Sequence, residues 1–400
     1  KVAIVQIKNN DIETAVKEAV ELLGGISRYI KGTDKILLKP NMLSAPDNED
    51  VKAMVRTDPL VLEALSKMVI DNGKKVLIGD TCGSGHLGGT RSVLEKSGYL
   101  ELGEKYQEIE VRSLEQNGTV STKIDGKKLK EANLSKEFLE TDIAINVPKM
   151  KTHSLTMYTG AIKNLFGTIC GSDKMRIHAL GATLNGFSQC LVDLFSFEKK
   201  KFSLHLMDAK IAVEGMGPGA SGKAVRMNLI LASEDAVALD ATAVRLMGRN
   251  PNKIPTIRFA AEQGLGEIEE EKIVIVGEKV NDHRRKFKFP VSASFGKLPF
   301  ARFSSIAMQV PKYVANCTGC KTCQRACPEQ VITISNNKKG KFYASINYNG
   351  CISCFTCIEV CPEACYKTKL KHLGNILKIV GLILGLGIVV TTIILLVIYL

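Results

Sequence analysis

The sequence predicts an α/β domain with a doubly wound, mostly parallel sheet, followed by a small cysteine-rich α+β unit and a single C-terminal transmembrane helix. Three observations lead there. Apolar strand-length runs alternate with helical periods over about the first 290 residues, eight cysteines fall in two identical combs between positions 317 and 361, and residues 379–400 carry no charge. With 400 residues and 45% apolar content, the chain can bury a core in two or three domains.

Strands are expected at 2–7, 35–38, 75–79, 108–114, 142–147, 204–213, 227–232 and 272–276. Helices are expected between them at 11–30, 59–72, 90–97, 180–195, 235–247 and 255–263. Near-continuous apolar strands separated by helices are those of a parallel sheet covered on both faces. The expected division is an α/β domain at 1–295, a linker at 296–311, the cysteine-rich unit at 312–369, and a basic segment with a membrane span at 370–400. Ligands of open α/β sheets gather beyond the carboxyl ends of the strands, so the loops there matter most.

The combs read C-x-x-C-x-x-C-x-x-x-C-P, at Cys317/Cys320/Cys323/Cys327-Pro328 and Cys351/Cys354/Cys357/Cys361-Pro362. Three thiolates at this spacing wrap one cubane iron-sulfur cluster, and the fourth, before proline, serves the other cluster of a tandem pair. The expected ligand sets are therefore crossed: Cys317, Cys320, Cys323 and Cys361 for one 4Fe-4S cluster, Cys351, Cys354, Cys357 and Cys327 for the second. A zinc ribbon would use two C-x-x-C pairs, and disulfide frameworks do not repeat this comb. Cys365 falls outside the comb and reads as a packed thiol. Cys82, Cys170 and Cys190 have no spacing that suggests a bridge, which points to a reducing, cytoplasmic compartment.

The 22 uncharged residues 379–400 are long enough to span a bilayer as a helix. Lys367, Lys369, Lys371, His372 and Lys378 precede them and no charge follows, so the positive-inside rule puts the preceding domains in the cytoplasm. Gly381-x-x-x-Gly385 offers a face on which two anchors could pair into a dimer. No signal peptide is visible at Lys1, which lacks a preceding methionine. The net charge of +13 is spread along the chain and aromatic content is 6%, so neither a basic arm nor a stacking platform for nucleic acid is expected. Anionic headgroups near the anchor and a small anionic ligand account for the charge instead.

Four loops stand out. Lys39-Pro40-Asn41 follows the second strand, and Pro148-Lys149-Met150-Lys151-Thr152-His153 follows the fifth. In extended backbone Lys149, Lys151 and His153 point to one side, either converging on an anion or forming a solvated basic edge. Gly79-Asp80-Thr81-Cys82-Gly83-Ser84-Gly85-His86-Leu87-Gly88 contains G-x-G-x-x-G, whose amides suit a phosphate or carboxylate. It is a weak dinucleotide fingerprint, because Asp80 precedes the glycines and the sheet's first strand lies elsewhere. The fourth loop, Glu214-Gly215-Met216-Gly217-Pro218 through Lys223, contains G-x-x-x-x-G-K, but Ala224 stands where the Walker pattern needs Ser or Thr and a strand is expected next, which excludes an ATPase.

Together these loops resemble the family named domain of unknown function 362, often found fused to ferredoxin modules. The resemblance rests on Lys39-Pro40-Asn41, Gly79-Asp80, Asn146 through His153, Gly160-Ala161-Ile162-Lys163-Asn164-Leu165-Phe166-Gly167, and Glu214-Gly215-x-Gly217-Pro218 with Asp240 downstream. It covers nearly all of residues 1–290. The segment from about 311 to 369 resembles the bacterial-type two-cluster ferredoxin family, with no ligand missing. The first resemblance implies a fold and a shared site but no substrate.

The residues themselves permit more. Lys39, Asn41, Lys163, Asn164 and Arg176, with Asp80, Gly83, Gly85, Asn146 and Glu214, are the expected ligand-binding set. Lys149, Lys151, His153 and His178 are the expected catalytic set, since a histidine has the intrinsic pKa for proton transfer near neutrality. His86 and His205 read as structural. No H-x-x-x-H or H-x-E spacing supports a further metal at His153, His178, Asp208 or Glu214. The leading expectation is a membrane-tethered iron-sulfur oxidoreductase that relays electrons to a ligand in the basic loops. The alternatives are a non-catalytic electron-transfer or assembly subunit that docks a partner protein, and a hydrolase or transferase braced by its clusters. The substrate, the electron donor or acceptor, whether protein or quinone, and any flavin are not legible.

Overall fold

The structure, a computed structural model, describes residues 1–44, 46–82, 89–181, 183–290, 309–337, 339–352 and 354–370. Its main sheet runs through β1 (Val2–Gln6), β2 (Lys35–Pro40), β3 (Lys75–Asp80) and β4 (Ile109–Ser113). A separate antiparallel ribbon, β5 (Thr119–Lys123) and β6 (Glu131–Ser135), follows. The sheet resumes with β7 (Ile143–Val147), β8 (Lys149–His153), β9 (Met157–Thr159), β10 (Phe202–Gly215), β11 (Gly222–Ser233) and β12 (Ile275–Gly277). The strand order is β12-β1-β11-β10-β7-β2-β3-β4, with β8 pairing β10 and β9.

Among the described residues six of the nine pairings in this sheet are parallel, as the apolar runs predict. The antiparallel exceptions are β1 with β11, β10 with β11, and β8 with β9. Strands β10 and β11 form one long hairpin, and the glycine-rich run expected not to be a Walker loop is its turn: Gly222-Lys223-Ala224 opens a strand, not a helix. The chain winds outward from β2 through β3 to β4, then crosses back so that β7 lies on the other side of β2. The order therefore reverses between β2 and β7, and the crevice beyond their carboxyl ends is where such sheets bind ligands.

Side-chain alternation splits the core in two. Ile36 and Leu38 of β2, Ala3 and Val5 of β1, and Val76 and Ile78 of β3 face one apolar layer, which includes helices Ile12–Glu21 and Pro59–Ile70. Leu37, Val2, Ile4 and Leu77 face the other, beside helices Ala236–Leu246 and Pro255–Glu262. Each fully buried aliphatic side chain here contributes about 1.5–3 kcal/mol over an exposed one. Side-chain caps start the helices: Asp11 accepts from the Thr14 amide, Asp58 from that of Leu60, and Asp235 from those of Val237 and Ala238. The expected helix at 11–30 stops at Glu21, because Gly24 and Gly25 take positive φ and turn the chain into a short 3₁₀ turn, Ile26–Arg28.

The cysteine-rich unit has two antiparallel ribbons, β13 (Gln309–Tyr313) with β16 (Tyr366–Leu370) and β14 (Ile332–Asn336) with β15 (Phe342–Ile346). Strand β13 takes in residues that the sequence reading gave to the linker. Each comb runs into a one-turn helix, Thr322–Arg325 and Thr356–Glu359. Lys321 and Phe355 both sit at φ 59°, and Gln330 and Ala364 at φ 51° and 52°. The two halves thus repeat one backbone path at the same offset that separates the combs. A third apolar cluster joins Phe355, Ile358, Val360 and Tyr366 of this unit to Leu155, Phe166, Ile169 and Phe187, so it is seated on the α/β domain. Among the described residues no helix is long and apolar enough to cross a membrane. The expected span at 379–400 lies outside them.

Candidate functional site

The cleft at the switch point is built from four segments. Asn41, Met42 and Leu43 follow β2, Asp80 and Thr81 end β3, Lys151 and His153 come from β8, and Lys163, Asn164, Phe166 and Gly167 come from the turn after β9. Helix Asp173–Gly181 adds Lys174, Met175 and His178, the β10–β11 turn adds Pro218, and the cysteine-rich unit adds Thr356 and Val360. Water centres can occupy about 70 Å3 of it, room for about five waters, so as it stands it fits a small ligand.

Its floor is a buried ion pair. Lys39 Nζ lies 2.7 Å from Asp80 Oδ1, with the side chains 0% and 3% exposed, and Asp80 Oδ2 accepts the Met42 amide at 2.9 Å. Burial pulls the Lys39 pKa down and the Asp80 charge opposes that pull. Gly167 is required here: a Cβ would collide with the Asp80 carboxylate and the Lys39 ammonium. At Gly160 a Cβ would collide with the Tyr158 hydroxyl and Asp240. The two glycines that bracket Gly160–Gly167 thus let that turn lie against charged groups.

Asp240 holds the turn in place, accepting from the Ala161 amide at 2.6 Å, the Ile162 amide at 3.0 Å and the Tyr158 hydroxyl at 3.0 Å. Asn164 Nδ2 donates to the Pro40 carbonyl at 3.2 Å and to Asn146 Oδ1 at 2.7 Å, which fastens the turn to the ends of β2 and β7. Asn146 Nδ2 in turn reaches the Ala161 carbonyl and His205 Nδ1, both at 3.0 Å. Asn146 lies beneath the cleft and braces it; it does not line it. His205 is structural, as expected: burial pushes its pKa down to about 3, so it stays neutral.

The cations stand above this floor. Lys151 Nζ donates to Asn41 Oδ1 and to the Val55 carbonyl at 2.8 Å. Lys174 Nζ donates to the carbonyls of Thr81 and Cys82 at 2.9 Å each and to the Thr81 hydroxyl. Lys163 lies over the Phe166 and Phe187 rings at 5.6 and 5.7 Å. Asp80 is the one carboxylate among the described lining residues, and Lys39 already matches its charge. His153 Nδ1 accepts the amides of Leu155 at 3.0 Å and Thr156 at 3.2 Å, so in the neutral ring the proton sits on Nε2. His178 stacks on Phe187 at 4.2 Å between centroids.

Asn41, Asp80, Lys151, His153, Lys163, Asn164 and His178, all expected from the sequence, therefore meet in one cleft. Others do not. Lys149 shares a side of β8 with Lys151 and His153, but it pairs with buried Asp208 at 2.7 Å, about 6.6 Å of strand rise away from Lys151. Arg176 is tied to Asp173 and to the Glu131 carbonyl, pointing away from the cleft. Glu214 accepts the Lys288 amide at 2.9 Å at the outer end of the hairpin. Gly83 and Gly85 lie outside the described residues. The sequence reading missed Lys174. The signal was helical spacing, since Lys174 and His178 at i and i+4 share one face, whereas Arg176 between them turns away.

Glu198 lies below the floor, where burial raises its pKa to about 8; its Oε1 accepts the Thr168 hydroxyl. Burial likewise raises Asp240 to about 7. An acid whose folded pKa is raised stabilises the fold below its unfolded pKa, and that contribution is lost as pH rises through the folded value. Thermal stability of the wild-type chain is thus expected to fall between about pH 5 and pH 8. Glu198→Gln should flatten the decline and be the more stable protein at pH 8, as thermal denaturation across that range would show.

The cysteines line two further hollows. Cys317, Cys320, Cys323 and Cys361 line one, with Cys365 and Tyr366; Cys351, Cys354, Cys357 and Cys327 line the other, with Phe355 and Thr356. These are the crossed sets. Among the described residues no three such side chains form the tight shell of a single metal ion, whereas a cubane needs its thiolates spread over four irons. The sulfurs have donors fit for thiolates: the Tyr366 hydroxyl to Cys323 at 3.0 Å, and the Cys365 amide to Cys361, the Gly319 amide to Cys317 and the Thr356 hydroxyl to Cys354 at 3.4 Å each. The residues fit 4Fe-4S clusters. Cys365 lines the first hollow through its buried thiol, beyond the four comb positions.

Two family descriptions match parts of the chain. Residues 36–245 match the family described as Domain of unknown function (DUF362), and residues 316–365 match the 4Fe-4S dicluster domain. The thylakoid-associated protein sll1697 of Synechocystis sp. (strain ATCC 27184 / PCC 6803 / Kazusa) is 33% identical over 256 residues, 63% of this chain and 74% of that protein. The lactate racemase apoprotein from Thermoanaerobacterium thermosaccharolyticum aligns at 13% identity with a TM-score of 0.40, over 62% of this chain and 56% of that one. The chain belongs to the DUF362 family and carries a 4Fe-4S dicluster domain on the C-terminal side of its family domain.

Proposed function

We propose that the protein is a membrane-anchored oxidoreductase that binds a small anionic ligand in the switch-point cleft and exchanges electrons with it through two 4Fe-4S clusters. One observation carries this reading. Thr356, whose hydroxyl bonds the Cys354 sulfur at 3.4 Å, lines both the second cysteine hollow and the basic cleft. When bound, the clusters supply one-electron transfer.

The chain's own residues do the rest. Lys151, Lys163 and Lys174 bind and orient the anion above the mutually neutralised Lys39–Asp80 pair. His153, its Nδ1 committed to accepting two amides, keeps its proton on Nε2 and offers it to the anion as a hydrogen bond. Thr356 and Val360 close the wall on the dicluster side and exclude water there. Membrane anchorage is supported by the uncharged run at 379–400 after a basic segment, which would hold both domains on the cytoplasmic side. A relative named for thylakoid association is consistent with it.

The test is anaerobic purification of the full chain in detergent, reading iron, visible absorption and bound small molecules from one sample. About eight irons per chain are expected, with a co-purifying anion. Lys163→Met should retain the iron and bind that anion about tenfold or more weakly, the loss of a charged hydrogen-bond donor. Full iron with no bound anion would point instead to a subunit that docks a partner, and zinc in place of iron would overturn the reading.

A further inference from the structure

The two cysteine hollows differ in their surroundings. The second abuts the cleft through Thr356, whereas the first faces outward: Cys320 is exposed, and exposed Lys321 stands at the lip. Phe342 is 39% exposed although large and apolar. It sits on the loop of the first comb, its backbone bridging Cys317 and its ring filling the space that a Cβ on Gly319 would need. A partner that covered the ring would take its apolar surface out of water.

Charge surrounds it. Exposed Lys321 precedes the short helix and exposed Arg325 ends it, and Lys339 and Lys341 stand exposed on the β14–β15 turn beside Phe342. Glu363 is the one carboxylate among the described residues lining this hollow. An apolar centre with a basic rim over a redox group is the complement of an acidic carrier protein: charge steers the encounter and the ring fixes the contact.

We propose that the face formed by Cys320, Lys321, Phe342 and Lys341 docks a small acidic one-electron carrier protein. Cys317, Cys320, Cys323 and Cys361 would hold the cluster that, when bound, would accept the carrier's one electron, with no proton or bond exchanged. This rests on two clusters being bound, but not on the identity of the cleft's ligand.

The experiment measures binding of the full, iron-loaded chain in detergent to two acidic probes, a flavodoxin and a plant-type ferredoxin, by calorimetry at low and physiological salt. Binding that weakens with salt is expected, at least to one probe. Lys321→Glu/Lys341→Glu should weaken it about tenfold or more, and Phe342→Ser should weaken it without changing the salt dependence. Iron content and the visible spectrum should match wild type in both variants. No binding to either probe, or equal binding by the charge-reversed variant, overturns the proposal. So does a charge reversal that leaves carrier binding intact but abolishes binding to vesicles with 30% phosphatidylserine, since the face would then serve lipid. Low iron in the wild-type chain would defeat the two-cluster reading instead, and the iron count separates the two failures.

Discussion

Cys361→Ala is expected to remove the cluster of the first comb, although Cys361 lies in the second. The first hollow is lined by Cys317, Cys320, Cys323 and Cys361, and the second by Cys327 with Cys351, Cys354 and Cys357. Iron should drop from about eight to about four per chain in each single variant. The informative result is which spectrum survives. Under the crossed arrangement, the electron paramagnetic resonance signal left in reduced Cys361→Ala matches that left in Cys320→Ala, and Cys327→Ala matches Cys354→Ala. If Cys361→Ala matched Cys354→Ala, each comb would serve its own cluster and the assignment would fail. The effect should extend to the α/β domain in one pair only. Cys354 accepts from Thr356, which lines the cleft, so Cys327→Ala and Cys354→Ala should weaken anion binding, whereas Cys320→Ala should leave it near wild type.

The combs were legible because eight side chains at fixed spacing encode a ligand set in local sequence alone. The two-fold repeat that the structure adds, with Lys321 and Phe355 in the same left-handed conformation, is the backbone consequence of that spacing. The sheet was legible for a different reason: β2, β3 and β7 are buried on both faces, and burial leaves an apolar run that composition reveals. Strand β8 was not, although the five residues Lys149–His153 are all buried. Two lysines and a histidine fit either a solvated basic edge or an anion site, and only tertiary partners such as Asp208, Asn41 and the Val55 carbonyl make their burial tolerable. Of the basic residues singled out, those that line the cleft and those that do not share the same chemistry. Lys149 and Arg176 are drawn aside by the carboxylates of Asp208 and Asp173, and sequence distance does not report that.

Asp80→Ala is expected to be the most destabilising single change at the cleft, by about 3–5 kcal/mol, because it leaves the Lys39 ammonium buried without its counter-ion. It also removes the acceptor for the Met42 amide. The pH dependence identifies the cause. Burial already lowers the Lys39 pKa, and without Asp80 it should fall further. A base with a depressed folded pKa gains stability as pH rises from the folded value toward the unfolded one, because the unfolded chain then binds more protons. The variant's deficit should therefore shrink at alkaline pH, a trend that thermal denaturation between pH 6 and pH 10 would reveal; a constant deficit would mean that lost packing is responsible. The double variant Lys39→Met/Asp80→Leu removes both charges and should recover most of the stability, since a buried ion pair is often replaceable by apolar groups. If the pair's task is to hold the floor flat and neutral beneath Lys151, Lys163 and Lys174, the double variant should also keep anion binding. Should it fold but fail to bind, Asp80 or Lys39 touches the ligand itself, and the floor belongs to the binding set.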